Sequence, residues 1–392
     1  MSRNLTSEDL RLLIQRVFQP TAADRGLAIL VDLPDARLAD NDHWAQRRAM
    51  ATEWFLALQE EKKALGLESL TLAWYRNAGG NNADLPATYH AGDGHTVYAT
   101  ADDLPADQEE FAQLFRTHTM VLAPTELSAT APLKVATREA EAAGHGFRAA
   151  TMPGFLPSMI PALRLDYELI NRRVNMLAGL LDRAERADFV FRTAGGDHQL
   201  VLDLRHNQGH ASGGLFPRNG IAGNLPSGEA YIVPYEGNID GDTSRSHGIL
   251  PVQIDGEVVL YRIAANKAVE VLSQGPVSAT EARRIVQEPA YANLAELGLG
   301  VLGDFNLKPT GSILLDEKLG LHIAFGRSDH FGGSVRPQDF SSPDAVIHLD
   351  RVYIPETQPD VHVTSVTLRG PDLEREIIRH GVFQGLDEDQ PG

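Results

Sequence analysis

The sequence predicts an α/β plus α+β architecture: an N-terminal α/β domain with a largely parallel sheet, then a β-rich C-terminal domain. Three observations carry that prediction. Apolar runs alternate with helical stretches over roughly the first 160 residues, the pattern of strands and crossover helices. Beyond about residue 186 the texture changes to short strands broken by Gly, Asn, Asp and Pro. Late in the chain, residues 320–326 and 346–350 each place a histidine inside a run that otherwise reads as a buried strand.

The elements follow in order. Residues 10–17 have helical spacing and stop before Pro20. Leu27-Ala28-Ile29-Leu30-Val31 is a continuous apolar run, as expected of a strand covered on both faces. Asp42 can cap a long helix that runs to about Leu65 and closes at Gly66. Residues 70–75 and 119–123 read as strands, the second ending at Pro124. Residues 131–143 read as a helix stopped by Gly144, and residues 147–152 as a strand ending at Pro153-Gly154. No phosphate-binding glycine fingerprint follows any of these strands. The first domain is therefore set at residues 1–160.

Residues 166–186 read as a helix whose apolar stripe is Leu169, Val174, Leu177, Leu180 and Leu181. Strands are predicted at 189–192, 199–204, 229–233, 248–252 and 257–264, with Ile254-Asp255-Gly256-Glu257 as a hairpin turn. Residues 280–287 and 290–294 read as helical. The β-rich domain is set at 161–368. Residues 369–392 are assigned to an extension, partly disordered because its end is acidic.

Composition bounds the function. The chain has 392 residues, 43% of them hydrophobic, and a net charge of −18. A large core is affordable, and nonspecific binding to nucleic acid or anionic membrane is disfavoured. The absence of cysteine excludes disulfides, thiolate metal sites and cysteine nucleophiles, so any metal must be held by His, Asp, Glu, Tyr or backbone. The polar N-terminus lacks the apolar stretch of a secretory signal, and no apolar run approaches the roughly 20 residues that cross a bilayer. A soluble cytoplasmic location is the expectation.

Side chains alternate across a strand, so His348 and Asp350 must point to one side. An imidazole and a carboxylate converging from one face suit a divalent cation such as zinc, manganese, cobalt or iron(II). A hydrogen-bonded His–Asp pair is the alternative. His322 stands in Leu321-His322-Ile323-Ala324-Phe325-Gly326, where a satisfied core histidine is the alternative to a ligand. Glu229, in a turn feeding a strand, and Glu296, between a helical stretch and a glycine-rich turn, are glutamates among apolar and glycine neighbours; a turn residue paired with an arginine and a helix-end surface charge are the respective alternatives.

These segments together resemble the thermophilic metalloaminopeptidases of the aminopeptidase T and aminopeptidase S type, over roughly residues 115–353. The resemblance rests on Thr151-Met152-Pro153-Gly154-Phe155, Asp166-Tyr167-Glu168, Pro226-Ser227-Gly228-Glu229 and Glu296-Leu297-Gly298-Leu299-Gly300. It continues through Asp316-Glu317-Lys318, His322-Ile323-Ala324-Phe325-Gly326-Arg327, Gly332-Gly333 and Ile347-His348-Leu349-Asp350. It implies metal ligands at Glu229, Glu296, His322, His348 and Asp350, two divalent ions (Zn, Co or Mn), a homodimer, and removal of N-terminal residues from a peptide or small amide substrate. Three carboxylates would carry about −3 against about +4 from two ions, a near-balance that suits a bound hydroxide. The family's tyrosine seven residues after the first histidine is here Asp329, followed by His330. Glu229, Asp329 and His330 are the candidate catalytic residues, and Asp329 or Glu236 the candidates to receive a substrate amine. Some relatives of this family resemble 2,5-dihydroxypyridine dioxygenases, for which His322, His348 and Asp350 would form a facial triad around one Fe(II); a repurposed non-peptidase member of the family is the third alternative.

Overall fold

The computed structural model describes residues 4–387, which divide into two compact units. One gathers residues 4–168, Gly214–Ser227 and Thr310–Leu315; the other gathers Leu169–Gly213, Gly228–Pro309 and residues 316–387. The first unit thus draws in two stretches far along the chain, which a single boundary near residue 160 leaves out.

The first unit is built on a seven-stranded sheet, in the order Ala222–Asn224, Arg148–Thr151, Met120–Ala123, Gly26–Leu33, Ser69–Arg76, Thr88–Gly92 and Glu109–Glu110. Pairing is parallel from Ala222–Asn224 through Ser69–Arg76, and Thr88–Gly92 then adds antiparallel. Every residue of Gly26–Leu33 is buried, as its unbroken apolar run requires of a strand covered on both faces. On one side Ala28, Leu30 and Val121 pack with Leu133 and Ala140 of the Thr130–Ala142 helix. The helices Ser7–Phe18 and Asp42–Glu61 bury Leu10, Leu13, Ile14, Trp44, Trp54 and Leu58. Thr6 and Asp9 form a reciprocal capping box on the first helix. The second helix is capped by Asn41, which accepts from the Trp44 backbone N–H, rather than by the expected Asp42.

The second unit contains a five-stranded antiparallel sheet, in the order His348–Val352, Leu321–Gly326, Leu294–Gly300, Glu229–Ile232 and His210–Ser212. It also contains an eight-stranded sheet. Leu297, Leu299, Ile323 and Phe325 are fully buried, and Phe325 meets Tyr261 of the larger sheet with ring centroids 5.2 Å apart. Burying each such side chain stabilises by about 1.5–3 kcal/mol, so the apolar face anchors the smaller sheet.

Several expectations are corrected. Residues 290–294 are not helical: after a turn the chain enters the strand Leu294–Gly300, so Glu296 lies on a central strand and not between a helix and a turn. Complete burial between two paired strands overrides the helical propensity of Ala and Leu there. The helix predicted over 166–186 ends at Arg183, because Arg186–Thr193 pairs as a strand of the larger sheet. Residues 369–392 are not a separate extension. His362–Gly370, Leu373–Arg379 and Val382–Phe383 complete that sheet, while residues 388–392 of the expected disordered tail lie outside the described residues. Among the described residues no helix is long and apolar enough to cross a membrane.

A buried ion pair ties the first unit's sheet to its opening helix. Arg148 donates to Asp24 Oδ1 at 2.7 Å and to the Phe18 carbonyl at 2.9 Å. Burial pushes the Asp24 carboxyl up, but Arg148 and the Thr21 backbone hold it below the usual carboxylate range. A depressed folded pKa contributes stability above the unfolded value near 3.9, and that contribution is lost as pH falls below it. Asp24→Asn should cost about 3–5 kcal/mol in urea unfolding at pH 7, by stranding the buried guanidinium. The deficit should shrink on acidification below about pH 4; a pH-independent deficit contradicts this account.

Candidate metal centre

Cross-strand register gathers the candidate side chains on one face of the five-stranded sheet. Glu296, Gly298 and Gly300 alternate along one strand, and His322, Ala324 and Gly326 along its neighbour. Glu229 lies opposite Gly300, Gly298 opposite His322, and Glu296 opposite Ala324. On the far side Ala324 lies opposite Asp350, and Gly326 opposite His348. Each large polar side chain therefore faces a glycine or alanine. Gly298 shows why: a Cβ there would sit 1.9 Å from His322 Nε2.

The geometry is a chain of contacts centred on Glu296. His322 Nε2 lies 3.6 Å from Glu229 Oε2 and 3.5 Å from Glu296 Oε1. His348 Nε2 lies 3.2 Å from Glu296 Oε2 and 3.4 Å from Asp350 Oδ1. Two groups of donor atoms result, Glu229–Glu296–His322 and Glu296–His348–Asp350, each with its atoms within 4.8 Å of one another. Glu296 belongs to both. His348 Nδ1 is 2.7 Å from the Arg327 carbonyl, which fixes the ring with Nε2 turned to the carboxylates.

Two imidazoles and three carboxylates are the oxygen and nitrogen donors that divalent ions take. Glu229 Oε2, His322 Nε2 and Asp350 Oδ1 are buried with no hydrogen-bond partner. Buried polar atoms are ordinarily satisfied, so three orphaned donors converging on one place fit a bound cation. The expected facial triad is gathered less tightly, because the Glu296 carboxylate stands between His322 and His348.

Charge within the centre is balanced by its own members. Burial opposes ionisation of Glu296, but contacts with His322 and His348 hold its carboxyl well below the usual range. Burial would depress His322, yet Glu296, Asp350 and Glu229 lift it to about 9. One member had no assigned role in the sequence reading. Lys318 is buried, its Nζ 2.5 Å from Glu229 Oε1 and in contact with Glu317. Burial pushes Glu317 up to about 8 even beside that ammonium. In the sequence, Asp316-Glu317-Lys318 stands only among the segments that carry the resemblance; its nearness to the His322 strand is the signal that it turns inward.

The remaining candidates sit at the edge. Asp329 is not in either donor group: Arg327 Nε donates to its Oδ1 at 2.5 Å. His330 is likewise no part of a group, but its ring lies 5.2 Å from that of His348. Burial, His348 and Arg327 push it down to about 4, so it is neutral at pH 7. Glu236 is spent structurally, accepting from Asn293, Ser328 and Ser334, and has no oxygen left for a substrate amine. The side chains of His348, Asp329 and His330 are 17%, 26% and 27% exposed, which marks this as the open side of the centre. A separate cavity of about 680 Å³ in the second unit is lined by Lys308, Tyr353 and His362, and by none of the converging side chains.

No family model matches the sequence, and no curated protein matches it. Among solved structures the chain is similar to 2,5-dihydroxypyridine dioxygenase from Pseudomonas putida KT2440. The TM-score is 0.59 and the identity 14%, with 97% of this chain and 98% of that one covered. It is also similar to wild-type AmpT from Thermus thermophilus, at a TM-score of 0.53 and 16% identity, with 96% and 98% covered. At these identities the likeness is one of fold.

Gly298→Ala should displace the His322 ring, weaken Co²⁺ binding by about tenfold or more, and cost about 1–3 kcal/mol in urea unfolding. Wild-type Co²⁺ affinity in this variant would contradict the packing described.

Proposed function

We propose that this chain is a metal-dependent hydrolase that removes N-terminal residues from peptides or cleaves a related amide. The observation that carries the reading is the pair of donor groups sharing Glu296, with unsatisfied donor atoms in both. Glu229, Glu296 and His322 would hold one divalent ion, and Glu296, His348 and Asp350 the other. Such ions, when bound, polarise a scissile carbonyl and lower the pKa of water toward neutrality.

The chain's own residues supply the rest. Glu296 is common to both donor groups, with one oxygen facing His322 and the other His348. The Arg327 carbonyl keeps His348 Nε2 aimed inward. His330 stands beside His348 at the open edge, where its neutral ring can hydrogen-bond to substrate. Asp329 holds Arg327 there, leaving no phenol at the position where the resembled aminopeptidases carry one.

A second reading keeps the metal and changes the reaction. Lys318 already neutralises Glu229, which favours a single ion, and a single Fe(II) held around His348 and Asp350 would serve a ring-cleaving dioxygenase. The fold similarity to the dihydroxypyridine dioxygenase supports this reading, as the similarity to AmpT supports the first.

The discriminating experiment is paired. Protein loaded with Co²⁺, Zn²⁺ or Mn²⁺ should release free amino acids from short peptides, and Glu296→Ala should lower that rate at least about a hundredfold. Metal-loaded protein that releases none, but consumes oxygen with hydroxylated pyridines under Fe(II), moves the assignment to the dioxygenase.

A further inference from the structure

We infer that the two cation positions are unequal, and that the buried ammonium of Lys318 makes the Glu229–His322 position the weaker. The inference rests on the metal-centre reading above. It concerns the order in which the positions fill.

Lys318 is delivered by the short turn Glu317–Leu319, which presses against the Leu294–Gly300 strand. Gly300 permits the approach: a Cβ there would fall 2.4–2.6 Å from backbone atoms of Glu317 and Lys318. The lysine side chain is only 1% exposed, and its Nζ sits on Glu229 Oε1 at 2.5 Å. Separating this pair would leave a buried charge uncompensated, which is strongly destabilising, so the ammonium stays on Glu229. The other oxygen, Glu229 Oε2, is the orphaned donor facing His322. A cation bound through Oε2 must therefore share one carboxylate with a fixed positive charge.

The Glu296–His348–Asp350 position has no such competitor. Among the described residues, Glu296 and Asp350 form their ion pairs with histidines alone. Histidine gives up its proton to become a ligand, whereas the Lys318 ammonium, held between Glu229 and Glu317, stays in the centre. The near-balance of three carboxylates against two ions omits this charge. A fixed unit charge within a few ångström weakens a divalent cation by at least about tenfold at protein-like dielectric. The Glu296–His348–Asp350 position should thus hold a resident ion and the Glu229–His322 position an exchangeable one.

The test is a Co²⁺ titration of chelator-stripped full-length protein, followed by calorimetry and visible absorbance. Wild type should take one ion at least about tenfold more tightly than the second. Lys318→Met should tighten the second ion by about tenfold or more, while Lys318→Arg, which keeps the charge, should not. Glu229→Gln should lose the second ion and keep the first, and Asp350→Asn should lose the first. This pair decides the question even where Lys318→Met does not fold. Two equally tight ions in wild type, an unchanged second ion in folded Lys318→Met, or loss of the tight ion in Glu229→Gln overturns the inference. Wild type binding no ion at all instead sinks the metal-centre reading on which it depends.

Discussion

The pairing of Glu296 with Ala324, and of Ala324 with Asp350, is the constraint on which the centre depends. Carboxylates and imidazoles can share one sheet face only if their cross-strand neighbours leave room. Each of them does have a glycine or alanine opposite. The face so emptied of bulk is filled by charge, which is costly without a counterion. The opposite face carries the compensating energy through Leu297, Leu299, Ile323 and Phe325, packed toward the larger sheet. One short alternation along each strand therefore does two jobs, apolar anchoring on one side and polar convergence on the other.

The electrostatics follow from this crowding. Three carboxylates meet two histidines and one lysine, and each carboxylate takes a cationic partner. The partners differ in kind. Histidines can exchange a proton for a metal ion, but Lys318 cannot, so the two ends of the centre are chemically distinct. The fold alone does not choose between hydrolysis and oxygen chemistry, since it is shared with both solved structures. On the proposed reading, the number of ions the centre would hold bears directly on that choice, and Lys318 is the residue placed to affect it.

Much of this was legible in the sequence. The His348–Asp350 spacing required both groups on one side, and the apolar run at 27–31 required a strand buried on both faces. Glu229 and Glu296 stood out as glutamates among apolar and glycine neighbours, the family resemblance made them ligands, and the register brings them to the histidines. What escaped was whatever depended on partners distant in sequence. The strand through Glu296 reads locally as helix and turn, because Ala, Leu and Gly do not declare a strand until two neighbours pair with them. The strands over residues 362–383 form the edge of a sheet whose other members lie far back in the chain. Lys318 had no role until the structure brought its turn against Gly300 of the strand.

The most direct measurement is anomalous X-ray scattering from crystals soaked in Mn²⁺. The account predicts a strong peak bounded by Glu296, His348 and Asp350, with a weaker one toward Glu229 and His322. Peaks only at other surface carboxylates, with the five side chains still closed on one another and on Lys318, would contradict it.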